Sequence, residues 1–394
     1  MNVGIDFVKP GMVIMEDIYT DSMNGYPLVR NGIELNENII YKLKENGIKY
    51  IKVRSNYSLN ETIDDELRGI VISSLKNFDY TNIKSIINSS SEVAKKIEKS
   101  DSFNFDLARY FISNNDSYEH SLNVAQFACA LCKIYNKKYP SNEIKIEDVA
   151  LASILHEIGK QELDSYTLNK IKLDDNYLDK NNFPGYKSEM FESYKKENYP
   201  VYGFALIKDN PQIPSSVKVA ILLQKENFSK SDFGPLNASA SFLRNSKVYN
   251  ISKIIHICDI YEYLIRNSLI LGESVSNVIE IMKINSRNGI IDEELLKLLF
   301  LGIPLYGKET RVILNGSIDL GQNRKINFDG KKATVVEQDL NFPDRPKIMI
   351  DGVKSVIPLS KFQTITIKKI MPLDYENLFM KNNSENSVNM GRSL

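Results

Sequence analysis

The spacing of hydrophobic positions changes twice along the chain, and each change marks a different kind of structure. Near the start, three short runs alternate between apolar and polar residues and predict strands: Val13–Tyr19, Tyr26–Val29 and Tyr50–Val53. A turn is expected at Asn24-Gly25, between the first two strands. Glu37–Asn46 has a helical pattern that begins after a capping Asn36 and ends at Gly47. We therefore expect a small β-rich domain over residues 1–56, followed by a polar linker.

The middle of the chain, residues 63–303, has the spacing of helices packed in a bundle. Six segments are predicted to be helical: Ser121–Tyr135, Ile146–Gly159, Val217–Gln224, Ile251–Ile265, Glu273–Ile284 and Glu293–Leu301. The first carries an apolar stripe, as expected of a helix that buries one face. Ile251–Ile265 is apolar on nearly every side, which indicates a helix buried between others.

After Pro304 the apolar positions alternate again, and β-branched residues become frequent. Five strands are predicted there: Arg311–Leu314, Lys332–Glu337, Lys347–Ile350, Ser355–Leu359 and Gln363–Ile370. Turns are expected at Asn315-Gly316, Asp329-Gly330 and Asp351-Gly352. Residues 304–372 should form a small antiparallel barrel or sheet, and the Asn- and Ser-rich residues 373–394 a disordered tail. The expected fold class is α+β, a helical bundle flanked by a small β domain at each end.

The composition excludes several classes of protein. The 394 residues include 50 basic and 50 acidic side chains, so no net charge attracts nucleic acid or an anionic membrane. No apolar run reaches the roughly 20 residues that span a bilayer. Three cysteines cannot form a disulfide framework, which favours a reducing compartment. We expect a cytoplasmic protein with neither a membrane nor a nucleic-acid partner.

The chain has only three histidines, so a histidine-containing metal site must be small. His120 begins one predicted helix, the pair His156-Glu157 lies near the end of another, and Asp259 lies inside the most apolar one. A buried carboxylate must be paired or metal-bound, because an isolated buried charge costs several kcal/mol. Two imidazoles and two carboxylates suit a divalent transition metal. Lys160, four residues after His156, is expected on the same helix face, where it could contact a metal-bound phosphate.

Three stretches of sequence resemble a known family: YEHSLNVA at 118–125, LASILHEIGK at 151–160 and IIHICDIYEYL at 254–264. Together they resemble the HD superfamily of metal-dependent phosphohydrolases, and within it the HD-GYP family of cyclic di-GMP phosphodiesterases. The segments at 8–53 and 342–352 are similar to the small domains that flank many such modules. The resemblance implies metal-ligand roles for His120, His156 and Asp259, with Glu157 in place of the family's aspartate.

The chain departs from the family at the positions that hold further metals. The histidine of the family's HPxxG segment aligns with Tyr199, and its paired histidines align with Gln224 and Lys225. The GYP loop is reduced to residues 233–235, and the arginine that contacts substrate phosphate aligns near Ser268. Because two metals clamp both reacting oxygens, these losses imply one divalent metal (Fe, Mn or Zn), or none. Tyr199, Gln224 and Lys225 should face the same cavity as the metal ligands, with Lys225 or Tyr199 in the volume of the missing metal.

Two functions from different classes remain open. The first is a degenerate HD-GYP protein that acts as a regulatory or nucleotide-binding module for a cyclic di-GMP-type ligand, with weak or no hydrolysis. The alternative is an active HD phosphohydrolase that uses one metal to cleave cyclic di-GMP or another phosphoester. A protein partner and a homodimer are compatible with both. A fossil network, in which the histidines only bond to the carboxylates, also stays open.

Four further residues carry metal-binding groups. Asp116, one helical turn before His120, could add an oxygen ligand. His256 is expected to be a buried, hydrogen-bonded side chain rather than a ligand. Cys129 and Cys132 form a CxxC inside an apolar stripe, so we expect them to pack in the core rather than bind zinc.

Overall fold

The structure, a computed structural model, describes residues 2–19, 26–48, 50–54, 61–78, 83–112, 117–160, 199–225, 247–271, 274–319, 324–339 and 341–371. The expected turn at 24–25, most of the linker, Asp116, the 233–235 loop and the 373–394 tail lie outside these ranges. Within them, no helix combines the length and the apolar character needed to cross a membrane.

The N-terminal unit contains one short helix and a two-stranded antiparallel sheet. Strand β1 (Asn2–Gly4) pairs with β2 (Tyr50–Lys52), and helix α1 covers Glu37–Glu45. The predicted cap is confirmed, because the Asn36 side chain accepts a hydrogen bond from Ile39 N at 2.9 Å. The apolar core of this unit is formed by ten buried residues: Val3, Ile5, Val8, Met12, Ile14, Ile18, Leu35, Leu43, Ile51 and Val53.

The predicted strands Val13–Tyr19 and Tyr26–Val29 are wrong in extent. The structure has only isolated bridges in these segments, such as the one between Ile14 and Val53. Ile14 and Ile18 are nevertheless buried. An alternating pattern reports which side chains enter a core, and single bridges are enough to direct these two inwards.

Within the described residues, nine helices form the bundle: α2 (Asp65–Lys76), α3 (Lys84–Lys99), α4 (Ser117–Lys138), α5 (Ile146–Leu155), α6 (199–207), α7 (Ser215–Leu223), α8 (Lys247–Ile270), α9 (Ser276–Arg287) and α10 (Glu293–Gly302). Short 3-10 turns cover Leu107–Phe111, Pro140–Asn142 and Ile158–Lys160. Five of the six predicted helices are confirmed with ends shifted by a few residues, and the predicted Ile146–Gly159 is too long.

Helix α4 lies at the centre of the bundle and packs against α3, α5 and α8. It is buried on nearly all sides, including four polar residues near its start: Glu119, His120, Ser121 and Asn123. Buried polar side chains in folded proteins almost always have partners. This end of α4 therefore marks a polar region inside an otherwise apolar bundle.

Helix α5 ends at Leu155, four residues before the predicted end at Gly159, and the chain then tightens into the 3-10 turn. A Cβ atom on Gly159 would overlap the backbone oxygen of Tyr199 and lie 2.5 Å from Gly203 N. The backbone of α6 thus packs directly on the turn, which only glycine permits. Such a tertiary contact leaves no trace in the periodicity of α5, so the prediction of its end failed.

Six strands, paired antiparallel, form the C-terminal sheet: β3 (Arg311–Asp319), β4 (Lys325–Asn327), β5 (Lys332–Glu337), β6 (Lys347–Ile350), β7 (Val356–Pro358) and β8 (Ile365–Ile370). Their order is β4-β3-β5-β6-β7, and β8 pairs with β3. The expected antiparallel sheet is confirmed, and β5 and β6 have the predicted bounds. Gly330 and Gly352, at φ 76° and 79°, form the two turns predicted there.

The expected turn at Asn315-Gly316 is wrong, because both residues lie inside β3. The register of β3 against β8 shifts between Ile313 and Leu314. Gly316 has a φ of 110°, and a Cβ there would overlap the backbone oxygen of Thr364. This glycine serves an irregular, close strand pairing, a use that the sequence pattern does not separate from a turn.

One apolar core runs from the bundle into the C-terminal sheet. Leu299 of α10 and Val312 of β3 are both fully buried in it. Cys129 and Cys132 are free, buried thiols of the same core. Burial raises the pKa of Cys132 to about 12, which favours the neutral thiol. Both cysteines pack in the core, as predicted.

Candidate metal centre

Four candidate ligands come from three separate elements of the bundle. His120 lies in the first turn of α4, Asp259 lies inside α8, and His156 and Glu157 directly follow the end of α5. One ligand atom from each residue lies within 4.8 Å of the others. The fold therefore brings these four side chains to one place.

The distances within this cluster suit a single metal ion. His120 Nε2 lies 3.2 Å from Asp259 Oδ1 and 3.5 Å from Glu157 Oε1. His156 Nε2 lies 3.9 Å from each of the same two oxygens. Ligand atoms held at about 2.0–2.2 Å from one ion are roughly 3 to 4 Å apart from each other. The four residues thus lie at spacings close to those required around one divalent cation.

The hydrogen bonds of the two imidazoles leave both Nε2 atoms directed at the carboxylates. His120 Nδ1 lies 2.6 Å from Glu262 Oε2, and His156 Nδ1 donates to the backbone oxygen of Ser153 at 2.7 Å. His156 is completely buried, and its Nε2 makes no hydrogen bond among the described residues. A ligand histidine commonly donates its second ring nitrogen to a carboxylate or carbonyl in this way. A buried Nε2 without a hydrogen bond fits a metal-ligand role for His156 better than a closed hydrogen-bond network.

The carboxylates of the cluster are ionised. Burial would raise the pKa of Glu157, but the hydrogen bond with His120 and the positive charges of His120 and Lys160 lower it to about 2. Burial opposes the charge of Asp259 as well, yet His120 and Lys225 hold its pKa well below the usual range. Burial lowers the pKa of His156. Burial opposes a charge on His120 too, but hydrogen bonds with Asp259 and Glu157 hold its pKa well above the usual value. The two buried carboxylates thus attract positive charge.

Lys225 places an ammonium group at the outer edge of the cluster. Its Nζ lies 2.8 Å from Asp259 Oδ2, while Oδ1 of the same carboxylate faces His120. The lysine side chain is 42% exposed, so water reaches its other side. The expectation that Lys225 lies beside Asp259 is confirmed. The ammonium neutralises the carboxylate oxygen that points away from the imidazoles.

Tyr199 and Gln224, the other two substituted positions, also lie at the centre but in different roles. Gln224 Nε2 donates to the backbone oxygen of His156 at 2.7 Å and so supports the turn that carries this histidine. The Tyr199 side chain is buried, and its hydroxyl makes no hydrogen bond among the described residues. Burial and the nearby charges of Asp259 and Glu157 raise its pKa, so the phenol remains neutral.

The expected position of Lys160 on a helix face with His156 is wrong, because α5 ends before either residue. Lys160 lies in the 3-10 turn and is ion-paired with Glu157. Its Nζ also lies 4.5 Å from the centre of the Tyr199 ring. Lys160 is 43% exposed, so its ammonium group borders the centre and remains open to solvent.

Glu262 is a functional candidate that the sequence analysis missed. It is fully buried one turn after Asp259 on α8 and binds His120 through Oε2. Asn123 Nδ2 donates to its other oxygen at 3.5 Å, and Arg266 Nε lies 3.5 Å from Oε2. The argument applied to Asp259, a carboxylate inside an apolar helix, holds equally for Glu262 and would have identified it.

Two other expectations concern residues around the centre. Ser268 is buried and carries no guanidinium, whereas Arg266, two residues earlier, is turned towards Glu262. His256 does not belong to the cluster, as predicted, and burial lowers its pKa to about 4. The site thus contains no additional histidine among the described residues.

Replacing Gly159 with alanine is expected to displace the turn that carries His156 and Glu157, because the new methyl group would overlap Tyr199 O. Overpacking of this kind costs about 1–3 kcal/mol of unfolding free energy. Gly69 in α2 is the matched control, since a Cβ there meets nothing within 4 Å. Gly69→Ala should gain about 0.5–1 kcal/mol from its helix propensity. Denaturant unfolding of both variants measures the difference, and equal stability would contradict the close approach.

Comparisons with known proteins agree with this geometry. Residues 117–264 match the family model of the HD domain, and all four candidate ligands lie within them. This part of the chain is an HD domain. No curated protein matches the chain. Among solved structures, a protein from Shewanella amazonensis SB2B described as a metal-dependent phosphohydrolase matches at 16% identity. The match covers 67% of this chain and 93% of that one, but its TM-score of 0.28 supports no structural argument.

Proposed function

We propose that the HD domain at residues 117–264 holds one divalent metal and uses it to bind a phosphate ester of the cyclic di-GMP type, with weak or no hydrolysis. This is the function of a degenerate HD-GYP protein, a regulatory module that has kept its ligand site and lost most of its catalytic activity. Fe, Mn and Zn all suit a mixed nitrogen and oxygen site. A protein partner or a second copy that reads the bound state stays a prediction.

The observation that carries this proposal is that the two carboxylate oxygens of Asp259 have different partners. Oδ1 lies beside His120, at 3.2 Å, and Oδ2 is paired with Lys225 at 2.8 Å. A carboxylate that bridges two metals needs a cation at each oxygen. The ammonium of Lys225 already occupies the second position, which supports one metal rather than two.

Two lysines at the edge of the centre favour a phosphate as the ligand. Lys160 and Lys225 both lie near Tyr199, with their Nζ atoms 4.5 Å and 5.8 Å from its ring centre. Both are about two-fifths exposed, at 43% and 42%, so an incoming ligand can reach them. Ammonium groups form strong hydrogen bonds with phosphate oxygens.

The residues of the chain perform distinct tasks in this scheme. A bound divalent metal would supply Lewis-acid polarisation of a phosphate oxygen. The bond from Glu262 holds His120 with its Nε2 towards the carboxylates, and the Ser153 carbonyl does the same for His156. Lys160 and Lys225 orient the phosphate. With no arginine at Ser268, charge that develops on the phosphate in a transition state has less stabilisation than in the family.

A second candidate function, hydrolysis by a single metal, is favoured by one specific observation. Glu262 is fully buried and lies 2.6 Å from Nδ1 of His120, an arrangement that fixes the tautomer of a metal-ligating histidine. A protein that binds no metal does not need a buried carboxylate to orient His120. An active site with one metal would depend on it.

Metal content tests the proposal directly. Protein stripped of metal and reloaded with Mn²⁺ is expected to retain one equivalent per chain by elemental analysis. His156→Ala should retain much less. Lys225→Gln should still bind one equivalent, about tenfold more tightly, since removing an exposed ammonium near the cation relieves on the order of 1 kcal/mol of repulsion. Two or more wild-type equivalents that disappear in His156→Ala would contradict the single-metal site.

Turnover separates the two candidate functions. We expect wild-type protein saturated with iron or manganese to bind cyclic di-GMP and to cleave it at least about 10³-fold more slowly than an intact relative. His156→Ala reports contaminating phosphodiesterase. Cleavage at about one per second that is abolished in His156→Ala would establish the enzyme instead. Failure to bind cyclic di-GMP with a full equivalent of metal would remove this ligand from the proposal.

A further inference from the structure

A cavity separate from the metal centre lies between the N-terminal unit and the helical bundle. It has a volume of about 320 Å³ and is lined by Tyr50 of β2, by α2 from Asp65 to Lys76, and by Arg109 and Ile112 at the 3-10 turn Leu107–Phe111. Gly69 lines it as well and is exposed, so the cavity opens to solvent along α2. Small-molecule sites commonly have volumes of about 300–1,000 Å³.

Arg68 is the unusual residue of this cavity. The side chain is only 3% exposed, and Nη1 donates to Glu119 Oε2 at 2.5 Å and to Asn123 Oδ1 at 3.0 Å. Its Nε and Nη2 atoms are buried and make no hydrogen bond among the described residues. The carboxylate of Glu61 lies 3.8 Å from Nη2, beyond hydrogen-bond distance. Two donors of one buried guanidinium are therefore directed at no acceptor of the described chain, which is rare in folded proteins.

The neighbouring carboxylates balance the charge of Arg68, with Glu61 ion-paired to Nη2, but they accept no hydrogen bond from Nε or Nη2. Arg109, also buried, is engaged with Glu61 and Asp65, at 2.5 Å and 2.7 Å from its Nη2. Glu119 accepts its hydrogen bond from Nη1 of Arg68. Adjacent Nε–H and Nη2–H groups of one guanidinium form a planar fork that matches the two oxygens of a carboxylate or phosphate.

The rest of the cavity indicates what such an oxyanion is attached to. Ile72 and Ile112 line it together with the ring of Tyr50. A ring of ligand size can pack against these apolar groups while its charged end meets the guanidinium. Lys76 adds a third cationic side chain to the lining, against two carboxylates, Asp65 and Glu119.

We infer that this cavity binds a small organic oxyanion, a carboxylate or phosphate ester with an apolar ring, through the Nε and Nη2 atoms of Arg68. The site is distinct from the metal centre, because none of its lining residues is a candidate metal ligand. The inference does not depend on the proposed function, since an oxyanion held by a guanidinium needs no metal.

Phenyl phosphate is a suitable probe, and phenol is its uncharged counterpart. Both are titrated by calorimetry into the full chain carrying Asp259→Ala and treated with chelator, so that the metal centre cannot bind phosphate. As a small ligand, phenyl phosphate should bind with a Kd on the order of 1 mM. Phenol should bind at least about tenfold more weakly, because it offers no oxyanion to Arg68.

Two substitutions at Gly69 locate the binding without disturbing the buried charges. Gly69→Phe places a ring at the opening and should abolish binding, whereas Gly69→Ala, with open space around its new methyl group, should retain it. Arg68→Lys keeps the charge but loses the fork, and is expected to weaken binding about tenfold. If Arg68→Lys does not fold, the comparison of Gly69→Phe with Gly69→Ala still shows whether the ligand binds in this cavity.

Three results would overturn the inference. They are absence of binding up to about 10 mM phenyl phosphate, equal affinity for phenol, and unchanged binding in Gly69→Phe. In each case the cavity would be only a gap in a buried ion network that joins the N-terminal unit to the bundle. Loss of binding in Gly69→Phe with retention in Gly69→Ala supports the site, whatever the metal experiments give.

Discussion

Asp259→Ala is expected to lower the affinity of the centre for a divalent metal by more than about 100-fold. Replacing a residue that only orients a ligand costs about 10- to 100-fold, and Asp259 is itself a candidate ligand. Its Oδ1 lies close to both imidazoles, 3.2 Å from His120 Nε2 and 3.9 Å from His156 Nε2. The fold should survive, because His120 keeps Glu262 and Lys225 is partly exposed to water. Calorimetric titration with Mn²⁺ and thermal unfolding measure the two effects.

Asp292 provides the matched control for this experiment. It too is paired with a lysine, Lys253, at 2.8 Å, and it caps α10 by accepting hydrogen bonds from Glu294 N and Leu295 N. Asp292→Ala should therefore cost about 1 kcal/mol of unfolding free energy and leave the metal affinity unchanged. If both variants lost metal equally, the effect would come from general destabilisation, and the assignment of Asp259 as a ligand would fail.

Glu262→Ala is expected to destabilise the chain by about 3–5 kcal/mol, the usual cost of removing one partner from a buried charge pair. The substitution leaves His120 Nδ1, 2.6 Å from the missing oxygen, without its acceptor in a fully buried position. It also removes the acceptor of Asn123 and the charge beside Arg266. Denaturant unfolding of metal-free protein gives this value without interference from metal binding.

Glu262→Gln separates the charge of this residue from its size. The amide can still accept a hydrogen bond, so the loss of stability should be smaller, about 1–3 kcal/mol. Metal affinity should fall about 10- to 100-fold, because a neutral partner makes His120 a weaker and less firmly oriented ligand. Unchanged metal affinity in a folded Glu262→Gln variant would favour the alternative, in which His120 only forms hydrogen bonds with the carboxylates and binds no metal.

Much of the fold was predictable because periodicity reports directly on burial. The alternating residues of Lys332–Glu337 and Lys347–Ile350 form strands with the predicted bounds. The Asn36 cap and the start of α10 at Glu293 also agree with the sequence. Patterns failed where one residue type has two uses, as at Gly316, which permits a close strand pairing rather than a turn.

The candidate site was likewise predictable only in part. The residue types of His120, His156 and Asp259, set among apolar neighbours, predicted a shared polar centre, and the alignment with the family predicted Lys225 beside Asp259. Neither could show that α5 ends at Leu155. That end depends on a backbone contact with α6.

The sequence by itself determined several of the helices and strands and some of the polar residues that are buried among apolar ones. Only the tertiary structure decided which residues are the partners of these buried polar side chains. Arg68 meets Glu119 across 51 positions of the chain, and His120 meets Glu262 across 142. Burial is a property of a local pattern, whereas the partner of a buried charge is set by how distant helices pack. For that reason the orphaned donors of Arg68 and the fixed tautomer of His120 became visible only in the folded chain.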